Sequence, residues 1–370
     1  IRAILLAAGK KVGMIGTTGT VIGNVVTPTL NTTPESYELH QAFAQMVEAG
    51  CEYAVMEVSS QGIKMHRTDG LYFNYAIFTN ISPDHIGPGE HADFEEYLYY
   101  KTRLLNMCGI GLVNKDDKHA PQIIKAANCE LCTYSEESKE ADFVASDIRY
   151  VSQPDFVGTE FHISGKYDME VRLGIPGLFN VVNALAAVSV CSFLGLDQAR
   201  ISHALENIRV NGRMEIVYTS ERCTVLVDYA HNAVSMESLL STLRDYKPKR
   251  LVCVFGRGGN RSKDRRYSMG EIGGKMADLS IITADNSRYE KVEDIIADIR
   301  GSIEKTGGKF IEIPDRREAI RYSILHAQPG DMVAVIGKGH EDYQEINGVR
   351  HHFLDREVIE ETVKELGEKA

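Results

Sequence analysis

The first 140 residues alternate between segments with a helical spacing of apolar residues and short segments that are almost wholly apolar. Apolar residues recur at helical spacing over residues 37–47, which predicts a helix. Thr33 can cap this helix, and Pro34 and Glu35 suit its first turn. Apolar runs at residues 53–58 and 75–81 are typical of strands in a sheet that is covered on both faces. The pattern therefore predicts an α/β domain with a mostly parallel sheet.

Residues 143–173 show a different pattern, with three short alternating segments and no helix. Alternation with a period of two is typical of antiparallel strands, so we expect a small antiparallel piece joined to the first sheet. Two helices are predicted between residues 181 and 207, and Asn211-Gly212-Arg213 resembles a linker. We therefore predict one domain over residues 1–210 and a second over residues 211–370.

The second predicted domain repeats strand and helix in turn. Strands are predicted at four apolar runs, which are residues 225–227, 251–255, 279–283 and 332–336. Helices are predicted near residues 233–245, 267–277, 291–305 and 315–327. Because strand–helix repetition requires parallel crossovers, we predict a Rossmann-like α/β fold for this domain.

Net charge and cysteine count exclude several classes of function. The formal net charge of −11 disfavours non-specific binding to nucleic acid, because the phosphates would be repelled. No apolar run approaches the roughly 18–20 residues that a membrane helix needs, so we expect no membrane segment. Seven cysteines, an odd number in a long chain, argue against a disulfide framework and predict a cytoplasmic protein.

Polar residues cluster directly after six of the predicted strands. The clusters are residues 57–60, 79–85, 228–231, 256–261, 285–288 and 337–341. Ligands of open α/β sheets bind at the carboxyl ends of the strands. Exposure explains one or two polar loops, but not the whole set in two domains, so we expect a ligand-binding cleft between the domains.

Glu57, Asp84 and His85 follow two neighbouring strands of the predicted first sheet. A carboxylate and an imidazole in such positions can share Mg²⁺, which takes few protein ligands and completes its shell with water and phosphate. A capping glutamate and a surface histidine would give the same spacing. The spacing by itself leaves both interpretations open.

A set of short motifs runs through nearly the whole chain in a fixed order. The motifs are Thr32-Thr33-Pro34, Met56-Glu57-Val58-Ser59-Ser60, His66-Arg67, Phe78-Thr79-Asn80, Asp84-His85, Tyr97-x-x-x-Lys101, Gly177-x-x-Asn180-x-x-Asn183, Gly212-Arg213-Met214-Glu215, Asp228-Tyr229-Ala230-His231 and Gly337-Lys338-Gly339-His340-Glu341. Each motif is weak alone, but the ordered set is highly specific. In this set the chain resembles Mur ligases of the MurE type.

The resemblance implies an ATP-dependent amide ligase, with a P-loop-type central domain followed by a Rossmann-like C-terminal domain. ATP would phosphorylate the D-glutamate carboxylate of UDP-MurNAc-L-Ala-D-Glu, and the amine of a diamino acid would then displace phosphate from the acyl phosphate. Such a reaction depends chiefly on positioning and charge neutralisation. The resemblance also implies small-molecule substrates only and a monomer.

The resemblance further implies roles for individual residues. The metal ligands fall on Glu57, His85 and Lys101, and a carbamate on Lys101 would turn a cation into an anionic oxygen ligand for Mg²⁺. The muramoyl-peptide positions fall on Thr32, Thr33, Ser59 and Arg67. The ATP positions fall on Asn180, Asn183, Arg213, Asp228 and His231, and the acceptor positions on Arg261, Asp285, Asn286, Arg288, Gly337 and Glu341.

The acceptor motif here is Asp285-Asn286-Ser287-Arg288. In the family, meso-diaminopimelate enzymes generally have proline at the third place and arginine at the fourth, whereas lysine enzymes usually lack the arginine. Arg288 is suited to a bidentate pair with the distal carboxylate of diaminopimelate, so we favour that acceptor. Ser287 lacks the fixed φ of proline and gives Arg288 room to move, so L-lysine and ornithine remain alternative acceptors.

Two departures from the family pattern bear on function. The family's phosphate-binding loop, Gly-Thr-x-Gly-Lys-Thr, is absent, and Gly16-Thr17-Thr18-Gly19-Thr20 lacks the lysine that would make it a substitute. Because Ile1 falls within the helix that should follow this loop, we interpret the chain as truncated at its start and expect it to be inactive as it stands. Gln61 replaces a histidine found in many relatives. The alternatives are a non-catalytic binding relative and a related ligase such as folylpolyglutamate synthetase.

Overall fold

The computed structural model describes residues 1–367, which form two compact units. The first unit contains Ile1–Ile148, Glu160–Leu173 and Phe179–Asn207. The second contains Arg149–Thr159, Gly174–Leu178 and the chain from Ile208 onward. No helix among the described residues is both long enough and apolar enough to cross a bilayer.

The elements up to residue 207 form two sheets with helices around them. In chain order they are α1 (Arg2–Ala7), β1 (Val12–Gly16), β2 (Gly19–Ile22), β3 (Val25–Thr27), α2 (Ser36–Glu48), β4 (Tyr53–Met56), α3 (Ser60–Lys64), β5 (Phe73–Phe78), α4 (Phe94–Arg103), a 3-10 turn (Leu104–Asn106), β6 (Cys108–Asn114), α5 (Ala120–Ala126), β7 (Glu130–Ser135), β8 (Phe143–Gln153), β9 (Phe156–Gly165), β10 (Met169–Leu173), α6 (Leu178–Phe193) and α7 (Gln198–Glu206). The strand orders are β3-β2-β1-β4 and β10-β9-β8-β7-β6-β5.

Both sheets of the first half combine parallel and antiparallel pairs. The pairs β5–β6, β6–β7 and β7–β8 are parallel, as is the pair β1–β4. The predicted alternating segments of residues 143–173 form β8, β9 and β10, whose short connections between hydrogen-bonded neighbours require antiparallel hairpins. The antiparallel strands β1, β2 and β3 were not predicted from the apolar pattern.

Helix α2 begins two residues later than the predicted capping residue implies. Glu35 is its N-cap and forms a capping box with Glu38, whose side chain accepts a hydrogen bond from the backbone N–H of Glu35 at 3.2 Å. The prediction that Thr33 caps this helix is wrong, because its hydroxyl is engaged by the chain after β4. The apolar face of α2 packs Leu39 and Met46 against Ile15 of β1.

The second unit is built on one six-stranded sheet. Its elements are β11 (Glu215–Thr219), β12 (Cys223–Asp228), α8 (Ala233–Asp245), β13 (Arg250–Phe255), α9 (Asp264–Met276), β14 (Leu279–Ile282), α10 (Val292–Thr306), β15 (Phe310–Glu312), α11 (Arg316–Leu325), β16 (Asp331–Ile336), the hairpin β17 (Tyr343–Ile346) and β18 (Val349–His352), and α12 (Asp355–Glu365). The strand order is β11-β12-β16-β13-β14-β15, with β11 antiparallel and the others parallel. The Rossmann-like prediction is confirmed.

Each face of this sheet has its own apolar core. Along β13, Leu251, Cys253 and Phe255 lie in one buried cluster, while Val252 and Val254 lie in another. Because both faces of β13 are covered, every residue of this strand can be apolar.

Two short stretches that the sequence places in the first domain pack with the second unit instead. Val157 and Ile175 belong to the same buried cluster as Leu240. The Tyr246 hydroxyl, also in this unit, lies 2.9 Å from the hydroxyl of Thr159 and accepts a hydrogen bond from the backbone N–H of Gly177 at 3.0 Å. The sequence prediction divided the chain at a single point. It could not assign these two stretches to the second unit, because the residues they contact lie far away along the chain.

Candidate functional site

A cavity of about 1150 Å³ in the first unit runs along the whole length of β4 and β5, which belong to different sheets, and extends past their carboxyl ends. Its lining includes apolar residues from both strands and a polar set from the segments after β1, β4 and β5, the segment before α2, and the helices α4 and α6. The polar set contains Thr17, Thr32, Glu57, Ser59, His85, Lys101 and Asn183. The structure thus brings together most of the residues that the resemblance selects in this unit, including all three predicted metal ligands.

Glu57 follows β4 directly and its carboxylate is held by a turn that the sequence did not assign. Its Oε2 accepts hydrogen bonds from the hydroxyl of Thr17 at 2.7 Å and from the Thr17 backbone N–H at 3.4 Å. The Thr17 hydroxyl also lies 3.2 Å from that of Thr32. Thr17 and Thr18 form the turn between the antiparallel strands β1 and β2, so Gly16–Thr20 is a hairpin and not a phosphate-binding loop before a helix.

Lys101 projects from the last turn of α4 into the same cavity. Its ammonium donates a hydrogen bond to the backbone carbonyl of Asn80 at 2.6 Å and lies 3.5 Å from the hydroxyl of Tyr97. Burial lowers the pKa of Lys101, and the charge of Asp117 opposes this shift only in part. A lowered pKa increases the fraction of neutral amine, which is the form that reacts with carbon dioxide.

His85 lies in a left-handed backbone conformation with φ of 54° in the loop after β5. Its Nδ1 is 3.5 Å from Glu90 Oε1 and its Nε2 is 3.8 Å from Asp84 Oδ2. Among residues 1–367, no three His, Cys, Asp or Glu side chains are grouped closely enough to coordinate one ion. Glu57 and His85 offer one carboxylate and one imidazole to the cavity, and Mg²⁺ is an ion that takes few protein ligands.

The four predicted muramoyl-peptide residues have different surroundings. Thr32 and Ser59 line the cavity. Thr33 is fully buried, and its hydroxyl donates to the carbonyl of Glu57 and accepts from the backbone N–H of Ser59. Arg67 forms an ion pair with Glu35 at 2.8 Å and donates to the carbonyl of Thr33 at 3.2 Å. In this structure Thr33 and Arg67 hold the chain around β4 in place.

His91 is a residue near the cavity to which the sequence assigned no role. It is fully buried, its Nε2 lies 2.9 Å from the Ser60 hydroxyl, and its ring stacks on Tyr97 at 5.1 Å. Tyr97 is the neighbour of Lys101 on α4, so His91 connects the chain after β4 with the helix that carries the lysine. A lone histidine in a polar loop gives no signal of this burial.

The predicted ATP-site residues belong to both units. Asn180 and Asn183 lie at the start of α6, and Asn183 is exposed and lines the cavity. In the second unit, the guanidinium of Arg213 lies 5.0 Å from the ring centre of Tyr229. His231 follows two residues later on the same loop, and its Nδ1 is 3.0 Å from the carbonyl of Tyr229.

Asp228, at the end of β12, is buried and engaged by the backbone. Its two carboxylate oxygens accept hydrogen bonds from the N–H groups of Met214 at 2.8 Å and Ala230 at 2.7 Å. Burial raises the pKa of Asp228, and these two hydrogen bonds act in the opposite direction. The carboxylate therefore fixes the loop that presents Arg213.

The acceptor residues after β14 and β16 form one hydrogen-bonded group. The side-chain amide of Asn286 donates to Glu341 Oε2 at 3.0 Å, and its Oδ1 accepts from the Glu345 backbone N–H at 2.9 Å. Lys338, which is fully buried, lies 3.4 Å from Asn286 Oδ1 and 3.3 Å from Glu341 Oε2. It also donates to the carbonyl of Tyr343. Lys338 thus orients the Asn286 amide and the Glu341 carboxylate.

Two other members of the acceptor set lie close to this group. Gly337 has φ of 110°, and a Cβ placed on it would lie 3.6 Å from Asp285 Oδ2. Arg288 donates to the carbonyl of Gly259 at 2.8 Å and its Nε lies 3.4 Å from Glu345. The expected freedom of Arg288 is therefore limited by contacts on both sides. Arg261, on the loop after β13, is exposed.

The chain matches two family profiles and many relatives. Residues 1–191 match a profile described as Mur ligase middle domain, and residues 212–339 match one described as Mur ligase, glutamate ligase domain. A protein of Caldanaerobacter subterraneus named UDP-N-acetylmuramoyl-L-alanyl-D-glutamate–2,6-diaminopimelate ligase is 39% identical over 371 residues, which cover 99% of this chain and 75% of the relative. A protein of the same name in Clostridium botulinum is 39% identical over 370 residues, with the same coverage.

Solved structures agree with this assignment. A structure described as that ligase superposes with a TM-score of 0.78 at 33% identity, covering 100% of this chain and 76% of the other. Folylpolyglutamate synthase from Thermotoga maritima has a TM-score of 0.63 at 16% identity, covering 90% of this chain and 81% of the other, and shares the fold. The chain therefore belongs to the Mur ligase family.

Proposed function

We propose that this chain is the catalytic body of an ATP-dependent ligase that joins a diamino acid to the D-glutamate carboxylate of UDP-MurNAc-L-Ala-D-Glu. The observation that carries the proposal is that Glu57, His85, Lys101 and Asn183 all line one cavity. The relatives at 39% identity carry the name of the diaminopimelate ligase of this reaction.

The proposed reaction has two steps. The γ-phosphoryl group of ATP moves to a carboxylate oxygen of D-glutamate, giving an acyl phosphate and ADP. The amine of the acceptor then attacks the acyl carbon, and phosphate leaves as the amide forms and the amine loses a proton. Mg²⁺ bound by Glu57, His85 and a carbamate on Lys101 would supply charge neutralisation at the phosphates.

The residues of the second unit support a diamino acid as the acceptor. Asp285 and Glu341 offer carboxylates to ammonium groups, and Lys338 and Asn286 already hold the Glu341 carboxylate in one orientation. Such an arrangement lowers the cost of ordering the pocket when the acceptor binds. We propose meso-diaminopimelate as the acceptor, with L-lysine as the second candidate.

Arg288 provides a test of the acceptor. Replacement of Arg288 by methionine is expected to lower kcat/KM for meso-diaminopimelate by about tenfold to a hundredfold, because a charge-assisted bidentate pair with the distal carboxylate is lost. Steady-state kinetics with L-lysine should change little, since lysine lacks that carboxylate. Arg288→Lys is the matched control, which keeps the charge without the planar fork. An equal loss of kcat/KM with both acceptors would show that Arg288 supports the Gly259 loop and does not bind the distal carboxylate of the acceptor.

The reaction itself is tested by phosphate release from ATP with protein expressed from the complete gene. The assay contains Mg²⁺, UDP-MurNAc-L-Ala-D-Glu and either meso-diaminopimelate or L-lysine. We expect release that depends on both the muramoyl peptide and one of the amino acids. Release with neither acceptor would contradict the proposal, and binding of the muramoyl nucleotide without any release would favour a non-catalytic relative.

We further propose that the protein acts in the cytoplasm as a monomer. All seven cysteines are free, which supports a reducing compartment. Sedimentation of the purified protein at several concentrations tests the monomer, and a mass that rises with concentration would contradict it.

A further inference from the structure

Arg257 is a buried cation for which the described residues provide no anionic partner. It follows β13 by two residues and is only 6% exposed. One guanidinium N–H donates to the carbonyl of His231, whereas the Nε has no hydrogen-bond partner. Within residues 1–367 no carboxylate lies close enough to form an ion pair with it.

The other deeply buried basic side chains of this unit are all paired. Arg266 bonds to Glu290 at 2.8 Å and Asp298 at 2.9 Å, and Arg316 bonds to Asp355 at 2.6 Å. Lys338 lies 3.3 Å from Glu341. An unpaired buried charge is costly, so a fold that pairs each of these residues is expected to pair Arg257 as well.

Several of the charged side chains around Arg257 are also positive. Burial lowers its pKa, the charge of Asp285 raises it, and the charges of Arg265, Arg261 and Arg266 lower it further. Arg261 and Arg265 are both exposed. The loop after β13 therefore presents an excess of positive charge that an anion would offset.

Arg257 also lies among the loops of the candidate acceptor pocket. Its hydrogen bond joins the loop after β13 to the loop after β12 at His231. A Cβ placed on the next residue, Gly258, would lie 3.0 Å from Nη1 of Arg288, and one placed on Gly256 would lie 2.9 Å from the backbone nitrogen of Asp285. The unpaired guanidinium and the acceptor residues thus belong to one group of loops.

We propose that Arg257 binds a carboxylate of the acceptor amino acid and is a specificity-determining residue of this pocket. The inference rests on the proposed function and adds an anion-binding residue to it. A carboxylate fits better than a phosphate, because Asp285 and Glu341 on the neighbouring loops suit the ammonium groups of a zwitterion and would repel a more highly charged anion. Arg257 then adds to the positive half of the pocket, which already contains Arg288, while those two carboxylates form its negative half.

The test uses the full-length enzyme with Arg257→Met and Arg257→Lys, and Arg265→Met as the matched control for loss of one positive charge. Calorimetry measures the Kd of meso-diaminopimelate and of L-lysine in the presence of UDP-MurNAc-L-Ala-D-Glu and a non-hydrolysable ATP analogue. The Kd of ADP is measured separately, and thermal unfolding reports whether each variant is folded.

Arg257→Met is expected to weaken acceptor binding by about tenfold to a hundredfold, with ADP binding unchanged and a smaller loss in Arg257→Lys. An equal loss of affinity for both amino acids would show that Arg257 binds the carboxylate that they share. A loss of affinity for meso-diaminopimelate alone would show that Arg257 binds its distal carboxylate. Either result supports the proposal. Arg265→Met should bind both acceptors as the unaltered enzyme does.

Unchanged acceptor binding in folded Arg257→Met would overturn the inference and leave Arg257 as a link between two loops. Weakened ADP binding with unchanged acceptor binding would overturn it in favour of a phosphate contact. If the unaltered enzyme bound neither amino acid, the proposed function would fail, and the inference with it. Failure of the proposed function is therefore distinguished from failure of the Arg257 inference, because only the former is seen in the unaltered enzyme.

Discussion

Lys101→Ala is expected to reduce turnover of the full-length enzyme by about a hundredfold to a thousandfold, while the Kd of UDP-MurNAc-L-Ala-D-Glu changes by less than about threefold. Lys101 lies in the same cavity as Glu57 and His85, where burial lowers its pKa. A carbamate on this lysine would help to neutralise phosphate charge that is greatest during phosphoryl transfer. Its removal should therefore affect turnover much more than binding.

The measurement combines steady-state kinetics with carbon-13 NMR after incubation with labelled bicarbonate. The unaltered enzyme should show a carbamate signal that Lys101→Ala lacks, and short carboxylic acids should partly restore turnover in the variant. Lys125→Ala, at an exposed lysine near the end of α5, is the matched control. Undiminished turnover of Lys101→Ala without an added anion would rule out this role for Lys101.

Arg316→Met is expected to lower the free energy of unfolding of the second unit by about 3–5 kcal/mol. Arg316 and Asp355 are both fully buried, and two hydrogen bonds of 2.7 and 2.6 Å join them. The same guanidinium donates to the carbonyls of Ala284 at 3.2 Å and Ile336 at 3.0 Å. The substitution leaves the Asp355 carboxylate without a counterion in an apolar interior.

Urea denaturation of the protein measures this effect. Arg317→Met is the matched control, because Arg317 is exposed and its pair with Glu361 should contribute less than about 1 kcal/mol. Arg316→Met combined with Asp355→Leu should recover most of the loss, since no buried charge is then left unpaired. A loss of under about 1 kcal/mol in Arg316→Met would contradict the buried-pair argument.

The same pair connects stability with the candidate acceptor pocket. Ala284 and Ile336 directly precede Asp285 and Gly337, so Arg316 ties together the carboxyl ends of the two strands that carry acceptor residues. No sequence motif singles out Arg316, because its partner Asp355 lies 39 residues away along the chain. Its role follows only from the burial of both side chains.

Local patterns in the sequence were enough to predict most of the strands, the alternation of the second unit and the family. The apolar run at residues 251–255 forms β13, and because alternate residues are buried on opposite faces of the sheet, every position of the run is apolar. In the second unit, the motifs after β12, β13, β14 and β16 lie at one edge because these parallel strands all end on the same side of their sheet.

Other features were decided by tertiary packing. The turn at Thr17 touches Glu57 across 40 residues, Thr33 is buried beneath the chain after β4, and residues 149–159 pack with the second unit. The Asn286 amide takes its orientation from Lys338, 52 residues later. The sequence determines which side chains are available, but whether a buried charge has a partner depends on distances between remote residues, and only the folded chain fixes them.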